Sequence, residues 1–280
     1  MHCLMFPGQP LFGPASLPDD QDFGHICTII NDRTGLELGT RSWTGATGSE
    51  QVMLQVLGVA MSLYGTRLLR RQGIVPRLVA EHSLGIYSAL AAAGSITEGD
   101  AVEMAWRVGM RLAAMSDVRE YALGCIVGLT LEPLLAIAEK HGVYLANHNT
   151  SRHFLLCGER GSMEEAEADA LAAGAFSAKL FPCDAPLHTP LMGEAADDLA
   201  AIFAGYRYRE PKIPLMSHMD QDFLTVADIP GFLLRELESP VYWERTYRAL
   251  RVAGATAFHE VGMGDSLKKY NRWIDSELGR

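Results

Sequence analysis

Ile74-Val75-Pro76-Arg77-Leu78-Val79-Ala80-Glu81-His82-Ser83-Leu84-Gly85-Ile86-Tyr87-Ser88-Ala89-Leu90-Ala91-Ala92-Ala93 is the stretch on which the fold turns. Ile74 to Ala80 is an apolar run of strand length. Ile86 to Ala93 is apolar with good helix formers. Between them lies a short turn that carries a serine. Strand, sharp turn and helix in this order form a nucleophile elbow, which lifts a hydroxyl above the end of a sheet. The N–H of the residue after the serine, Leu84, then stands at a helix N-terminus, where it can stabilise an oxyanion. The usual pattern is Gly-x-Ser-x-Gly. Here Gly85 is present and Glu81 replaces the first glycine. Taken alone, Ser-x-Gly also fits an ordinary helix N-cap serine.

Outward from the elbow, Val52, Val56, Val59, Leu63, Leu68 and Leu69 fall at helical spacing, so residues 49–72 are predicted to be a helix ended by Gly73. Residues 2–6 read as a short buried strand closed by Pro7-Gly8. Residues 13–48, rich in Gly, Pro, Asp and Thr, are expected to be loops with at most one short helix. A further helix is expected over about 98–115. From Leu123 to Pro182 the order is strand (123–129), helix (133–141), strands (143–146 and 153–157), helix (163–173) and strand (175–181). This β-α-β-β-α-β series is that of a ferredoxin-like unit. It predicts an insert, residues 120–182, within a catalytic core made of residues 1–119 and 183–280. Beyond it, a helical stretch from His188 to Phe203, a strand at 213–217, helices at 230–237 and 242–252 and a strand at 257–261 complete the pattern.

A neutral serine needs a base. His82, His148, His153 and His188 are all candidates. His188 sits in a proline-flanked segment, Ala185-Pro186-Leu187-His188-Thr189-Pro190-Leu191-Met192, rigid enough to hold an imidazole in place. The formal net charge of −10 excludes a general nucleic-acid binder, which needs a basic surface. Arg67, Arg70 and Arg71, and Lys268, Lys269 and Arg272, form local basic clusters that fit solvated helix faces or a docking surface for an acidic partner. No charge-free apolar run reaches about 18 residues, and the start has no basic n-region, so neither a membrane span nor a signal peptide is expected. Five scattered cysteines and no His-x-x-x-His or Cys-x-x-Cys pair predict no metal site, no disulfide framework and a cytoplasmic setting.

Six segments lie in one order: Phe6-Pro7-Gly8-Gln9; His82-Ser83-Leu84-Gly85 with Tyr87-Ser88-Ala89-Leu90; Asn147-His148-Asn149; His188-Thr189-Pro190-Leu191-Met192; Pro240-Val241-Tyr242-Trp243; and Glu260-Val261-Gly262-Met263-Gly264. This set closely resembles the malonyl-CoA:acyl-carrier-protein transacylases and the acyltransferase domains of polyketide synthases, over nearly the whole chain. The resemblance implies an α/β hydrolase-like core with a parallel sheet and a nucleophile elbow, plus the ferredoxin-like insert. It implies ping-pong acyl transfer without a cofactor, from malonyl-CoA by default to an acyl carrier protein. Ser83 would be the nucleophile, His188 its base, and the N–H groups of Gln9 and Leu84 the oxyanion hole. A backbone carbonyl, assigned to Glu236, would orient the histidine. His82, Asn149, His153 and Leu187 would line the substrate site.

The malonyl-selective members carry an arginine on the helix after the elbow, suited to a bidentate grip on a carboxylate. The gap-free match places Val108 there, flanked by Arg107 and Arg111. A small shift would bring Arg111 into the site, with Met115 following. Pro10, Ile86, His153, Leu187, Ser217 and Met263 also depart from the family pattern. Two other readings stay open: an acyl hydrolase of the same fold, favoured by loss of the arginine, and a non-catalytic carrier-protein or CoA-binding module. Glu81 beside Ser83 is the main support for the last.

Overall fold

The computed structural model describes residues 1–38 and 50–278. Four parallel strands form the first sheet: β1 (His2–Phe6), β2 (Leu78–Glu81), β7 (Leu215–Met216) and β8 (Ala257–Glu260), in the order β7-β2-β1-β8. β1 runs in register with β2 from Cys3 opposite Leu78 to Phe6 opposite Glu81. Alternate residues of a strand point to opposite faces, and both faces are buried. Leu4, Phe6 and Val79 pack into a large cluster with helices α1 (Gln21–Thr34), α2 (Glu50–Arg71), α3 (Gly85–Ala93) and α4 (Glu98–Ser116). Cys3, Met5, Leu78 and Ala80 pack on the other face with Trp243, Tyr247 and Leu250 of α9 (Trp243–Val252) and Leu267 and Ile274 of α10 (Ser266–Leu278). Such two-sided burial explains why the strands read as unbroken apolar runs.

The second sheet is antiparallel. It comprises β3 (Tyr121–Val127), β4 (Tyr144–Thr150), β5 (His153–Glu159) and β6 (Ser177–Cys183), ordered β4-β5-β3-β6. Helices α5 (Leu131–His141) and α6 (Arg160–Ala172) cover it through a separate apolar cluster that includes Phe154, Leu156, Met163 and Leu134. The strand order is that of the ferredoxin-like fold expected from the sequence. The two sheets meet at a seam. His148 N–H donates to the Val241 carbonyl at 2.8 Å, and Val241 N–H donates to the Ala146 carbonyl at 2.8 Å.

Two helices stand where the sequence suggested little. α1 occupies residues expected to be loop with at most one short helix. Asp20 caps it, accepting the Phe23 N–H at 3.0 Å, and Phe23, Ile26 and Ile30 form its buried stripe. α10 follows β8 although only Leu267 and Ile274 are deeply buried on it. The predicted helix from His188 to Phe203 begins later, as a 3₁₀ turn (Pro190–Ala195) running into α7 (Ala196–Ala204). The remaining helix, α8, spans Ile229–Glu238. The parts of the expected loop and helix that fall on residues 39–49 lie outside the described residues. Among the described residues α2 alone is long and apolar enough to cross a bilayer, and most of it is buried in the core.

Candidate active site

The elbow is built by close packing. A Cβ on Gly85 would lie 2.2 Å from the Phe6 carbonyl oxygen, so only glycine lets α3 start this near β1. His82 N–H donates to that same carbonyl at 2.9 Å. Ser83 takes φ +54°, the left-handed region that a non-glycine residue enters at a cost. His188 has φ +62°, and its N–H donates to the Leu237 carbonyl at 2.7 Å. Two strained residues from distant parts of the chain thus face each other.

Ser83 Oγ lies 2.7 Å from His188 Nε2. On the other side of the ring, His188 Nδ1 lies 2.8 Å from the backbone carbonyl oxygen of Glu236. A carbonyl oxygen only accepts, so Nδ1 carries the hydrogen and Nε2 is left free to accept from the serine. Burial pushes the His188 pKa down to about 3, keeping the ring neutral. The Glu236 side chain is also buried, with Oε2 3.7 Å from His188 Nδ1 and no hydrogen-bond partner. Burial, and then the nearby Glu81, raise its pKa well above the ordinary carboxyl range, so the neutral acid is favoured. The backbone carbonyl, not the carboxyl, is therefore the partner of the imidazole.

Glu81, the main support for the non-catalytic reading, is engaged elsewhere. Its Oε1 accepts from His218 Nδ1 at 2.7 Å, and both residues are 0% exposed. The substitution at the elbow is thus met by a histidine just beyond β7. His82 donates through Nε2 to Asn149 Oδ1 at 2.9 Å, and Asn149 Nδ2 donates to His153 Nδ1 at 3.2 Å. His153 Nε2 reaches Cys125 Sγ at 3.5 Å. Burial lowers the His153 pKa to about 4, so this chain of polar side chains runs neutral beneath the pocket.

Ser83 and His188 open into a cavity of about 500 Å³ between the two sheets. Gln9, Leu84, His82, His153, Leu187 and Glu236 line it, as the sequence suggested; Asn149 stands behind His82 and His153 rather than on the wall. Leu84 opens the first turn of α3, where N–H groups lack an intrahelical acceptor.

Arg111 does not enter the cavity. Its Nε lies 2.6 Å from Asp198 Oδ2 at the start of α7. Arg107 lies with its guanidinium carbon 5.9 Å from the centre of the Tyr206 ring. The two arginines do share a helix face, but that face meets α7 and the loop after it. Val108, one residue on from Arg107, turns into the cavity, because α4 buries Ala101, Val102, Ala105, Val108 and Leu112 against its neighbours. Met115 is buried in the core and does not line the cavity.

Sequence reasoning missed other parts of the wall around the Ser83–His188 pair. Gln51 and Gln55 come from α2, Tyr270 from α10, and Leu123, Cys125 and Leu155 from the second sheet. Gln9 Nε2 donates to Gln51 Oε1 across the cavity rim. Only the alternation along β3 and β5 hinted at the last three. Cys157 and Cys183 approach to 3.9 Å between sulfurs and also reach the wall. Of the basic clusters, Arg67 and Arg71 pair with Glu98 and Asp22, as solvated helix faces do.

Residues 31–261 match the family model for the acyl transferase domain. The chain is similar to the malonyl CoA-acyl carrier protein transacylase of Bacillus subtilis (strain 168), 33% identical over 72% of this chain and 67% of that protein. It is 31% identical to the enzyme of the same name from Escherichia coli (strain K12), over 81% of this chain and 75% of that protein. Among solved structures it resembles the malonyl CoA-acyl carrier protein transacylase from Coxiella burnetii, with a TM-score of 0.88, 26% identity, and 99% of this chain and 91% of that chain covered. A malonyl-transacylase solved in complex with a type II polyketide synthase acyl-carrier protein also gives a TM-score of 0.88, at 26% identity over 98% of this chain and 93% of that one.

Proposed function

The chain belongs to the acyl transferase domain family, and from that premise we propose that it is an acyl-carrier-protein S-malonyltransferase working through an acyl-serine. Malonyl-CoA is the donor and the phosphopantetheine thiol of an acyl carrier protein the acceptor. The single observation that carries the reading is Ser83 Oγ at 2.7 Å from a neutral, carbonyl-anchored His188 on the wall of a cavity of about 500 Å³.

In the first half-reaction Ser83 Oγ attacks the thioester carbon as His188 Nε2 takes the hydroxyl proton. The carbonyl oxygen becomes an oxyanion, held by the N–H groups of Gln9 and Leu84. Collapse breaks the C–S bond, and the coenzyme A sulfur leaves with the proton from His188. In the second half-reaction the carrier thiol gives its proton to His188 and attacks the acyl-serine ester. The ester bond breaks, and Ser83 regains the proton. The Glu236 carbonyl keeps the ring oriented throughout and accepts a stronger hydrogen bond when the imidazolium forms.

The same reading treats residues 1–119 and 183–280 as the catalytic core and residues 120–182 as an insert. The separate sheet and separate apolar cluster support this division. A cytoplasmic setting belongs to the proposal because coenzyme A and carrier-protein thioesters are its substrates.

Intact-protein mass spectrometry with malonyl-CoA tests the mechanism. A malonyl adduct on the protein, absent in Ser83→Ala, should pass to an added holo-carrier protein. His188→Ala should slow adduct formation by about 10²–10⁴-fold, the usual share of general base catalysis. Normal loading of Ser83→Ala overturns the proposal. An adduct that reaches water faster than the carrier identifies an acyl hydrolase instead.

A further inference from the structure

Among its described residues, the cavity wall gives the acyl group no positive charge to meet. None of the described residues that line it is a lysine or an arginine. The nearest acids are Asp184 and the buried Glu236 carboxyl. Val108, 2% exposed, presents an isopropyl group to the space, and Leu112, Leu123, Leu155, Leu187 and Met263 add further apolar surface. The other polar groups that face it are neutral, the amides of Gln9, Gln51, Gln55 and Asn147 and the hydroxyls of Tyr270 and Ser266 among them. His153, which borders the same wall, is held neutral by burial, with its ring nitrogens engaged by Asn149 and Cys125. Arg111, the obvious counter-ion, is turned to the far side of α4 and bound to Asp198.

A carboxylate drawn into such a space gives up hydration and finds neutral dipoles but no lysine or arginine among the described lining residues. Burying an unpaired ion is costly, whereas burying an alkyl chain against leucine and valine is favourable. Selection between two donors depends on the difference between these terms. The difference here falls on the side of the uncharged group.

Resting on the transferase reading above, we infer that this site accepts malonyl without selecting for it, and that besides malonyl it loads uncharged acyl groups, acetyl and butyryl among them, from their coenzyme A thioesters at least as fast. Val108 is the residue that sets this preference, by occupying the position on α4 that faces the acyl group with a side chain that cannot pair with a carboxylate.

The experiment is single-turnover acylation of the full chain, quenched and read by intact mass, with malonyl-, acetyl- and butyryl-CoA in separate reactions at equal concentration. Ser83→Ala is the control. Rates for acetyl or butyryl equal to or above malonyl support the inference. A faster malonyl rate overturns it and leaves the transferase reading intact, while no serine-dependent adduct from any donor overturns the transferase reading itself. Val108→Arg tests the cause. The variant should gain at least tenfold in the ratio of malonyl to acetyl loading, and an unchanged ratio in a variant that still loads acetyl removes Val108 from the role. Should the buried arginine unfold the protein, the comparison of donors on the parent chain still decides the inference. Arg41 lies outside the described residues, so Arg41→Ala is included. A loss of malonyl loading alone in that variant would reveal a cation the cavity does use and would overturn the inference.

Discussion

Lowering the pH from 7.5 to 5.5 should leave the rate of acyl-enzyme formation nearly unchanged. The base in the proposed step is the neutral imidazole of His188. An ordinary histidine, with a pKa near 6.5, is only about 9% neutral at pH 5.5, so a reaction that depended on it would slow by roughly tenfold. Burial pushes His188 down to about 3, so more than about 99% of it is neutral at pH 5.5. The hydrogen bond from Nδ1 to the Glu236 carbonyl works in the opposite direction, favouring the imidazolium, but is the smaller effect. The assay is rapid-quench acylation with saturating acyl-CoA from pH 5 to 8, read by intact mass. A rate that falls tenfold per pH unit below 6.5 would refute the reasoning, because it would show a solvated, ordinary imidazole. The same shift has a cost in stability. Between pH 6.5 and about 3 the unfolded chain takes up a proton at this site and the folded chain does not. The stability of a protein with such a site is complete above pH 6.5 and declines as pH falls, by about 1.4 kcal/mol per pH unit for each site. His153 and His82, also depressed chiefly by burial, act in the same sense. Glu236 acts in the opposite sense: its pKa is raised, so its contribution declines as pH rises above 4.5. His259 joins the first group and Glu260 joins Glu236; with four sites set against two, urea midpoints should be lower at pH 5 than at pH 7.

Four substitutions probe the scaffold around that base. Gly85→Ala should destabilise by about 3 kcal/mol and abolish loading, because its Cβ meets the Phe6 backbone rather than a side chain that can swing away; an unchanged urea midpoint would contradict the packing argument. Glu81→Ala should cost about 3–5 kcal/mol by stranding buried His218, while the double variant with His218→Ala should cost less than the sum of the two single changes. Additive losses in that cycle would mean the two side chains are not coupled. Glu236→Gln retains the backbone carbonyl and should load within about threefold of the parent, the residual effect of a changed neutral neighbour. A hundredfold loss would transfer the orienting role to the carboxyl. Arg111→Ala should change malonyl and acetyl loading equally and alter stability by less than about 1 kcal/mol, since its partner Asp198 is largely solvent-exposed.

The elbow and the ferredoxin-like strand order were legible in the sequence because both are local patterns. An apolar run followed by Ser-Leu-Gly and a second apolar run has few ways to fold, and the order of strands and helices from β3 to β6 survived errors of a few residues at their ends. α1 was not legible because Gly24, Thr28, Asn31 and Asp32 dilute its stripe, and only docking on α2 and α4 shows that Phe23, Ile26 and Ile30 form one face. α10 shows the same difficulty, with two deeply buried apolar residues one turn pair apart and charged residues between them. The position of Arg111 depended on rotation of α4 about its own axis. The sequence showed that Arg107 and Arg111 share a face, but which way that face looks follows from long-range contacts with α2 and α7 that no local spacing encodes. The Glu81–His218 pair joins residues 137 positions apart. A carboxylate read in isolation seemed a defect of the elbow, and only the tertiary fold supplies its partner.

The cavity has two walls with separate origins. Gln9, Ser83 and Leu84 stand on segments that follow strands of the parallel sheet and His188 on the segment between β6 and α7, whereas Leu123, Cys125, Leu155 and Phe181 come from the antiparallel sheet. The sheets touch through a backbone seam at Val241 and through the His82–Asn149 hydrogen bond. Selectivity toward the acyl tail can therefore be varied apart from reactivity at positions outside these links: a library confined to Leu123, Leu155 and Phe181 would remodel the wall while Ser83, His188 and the His82–Asn149 link keep their residues.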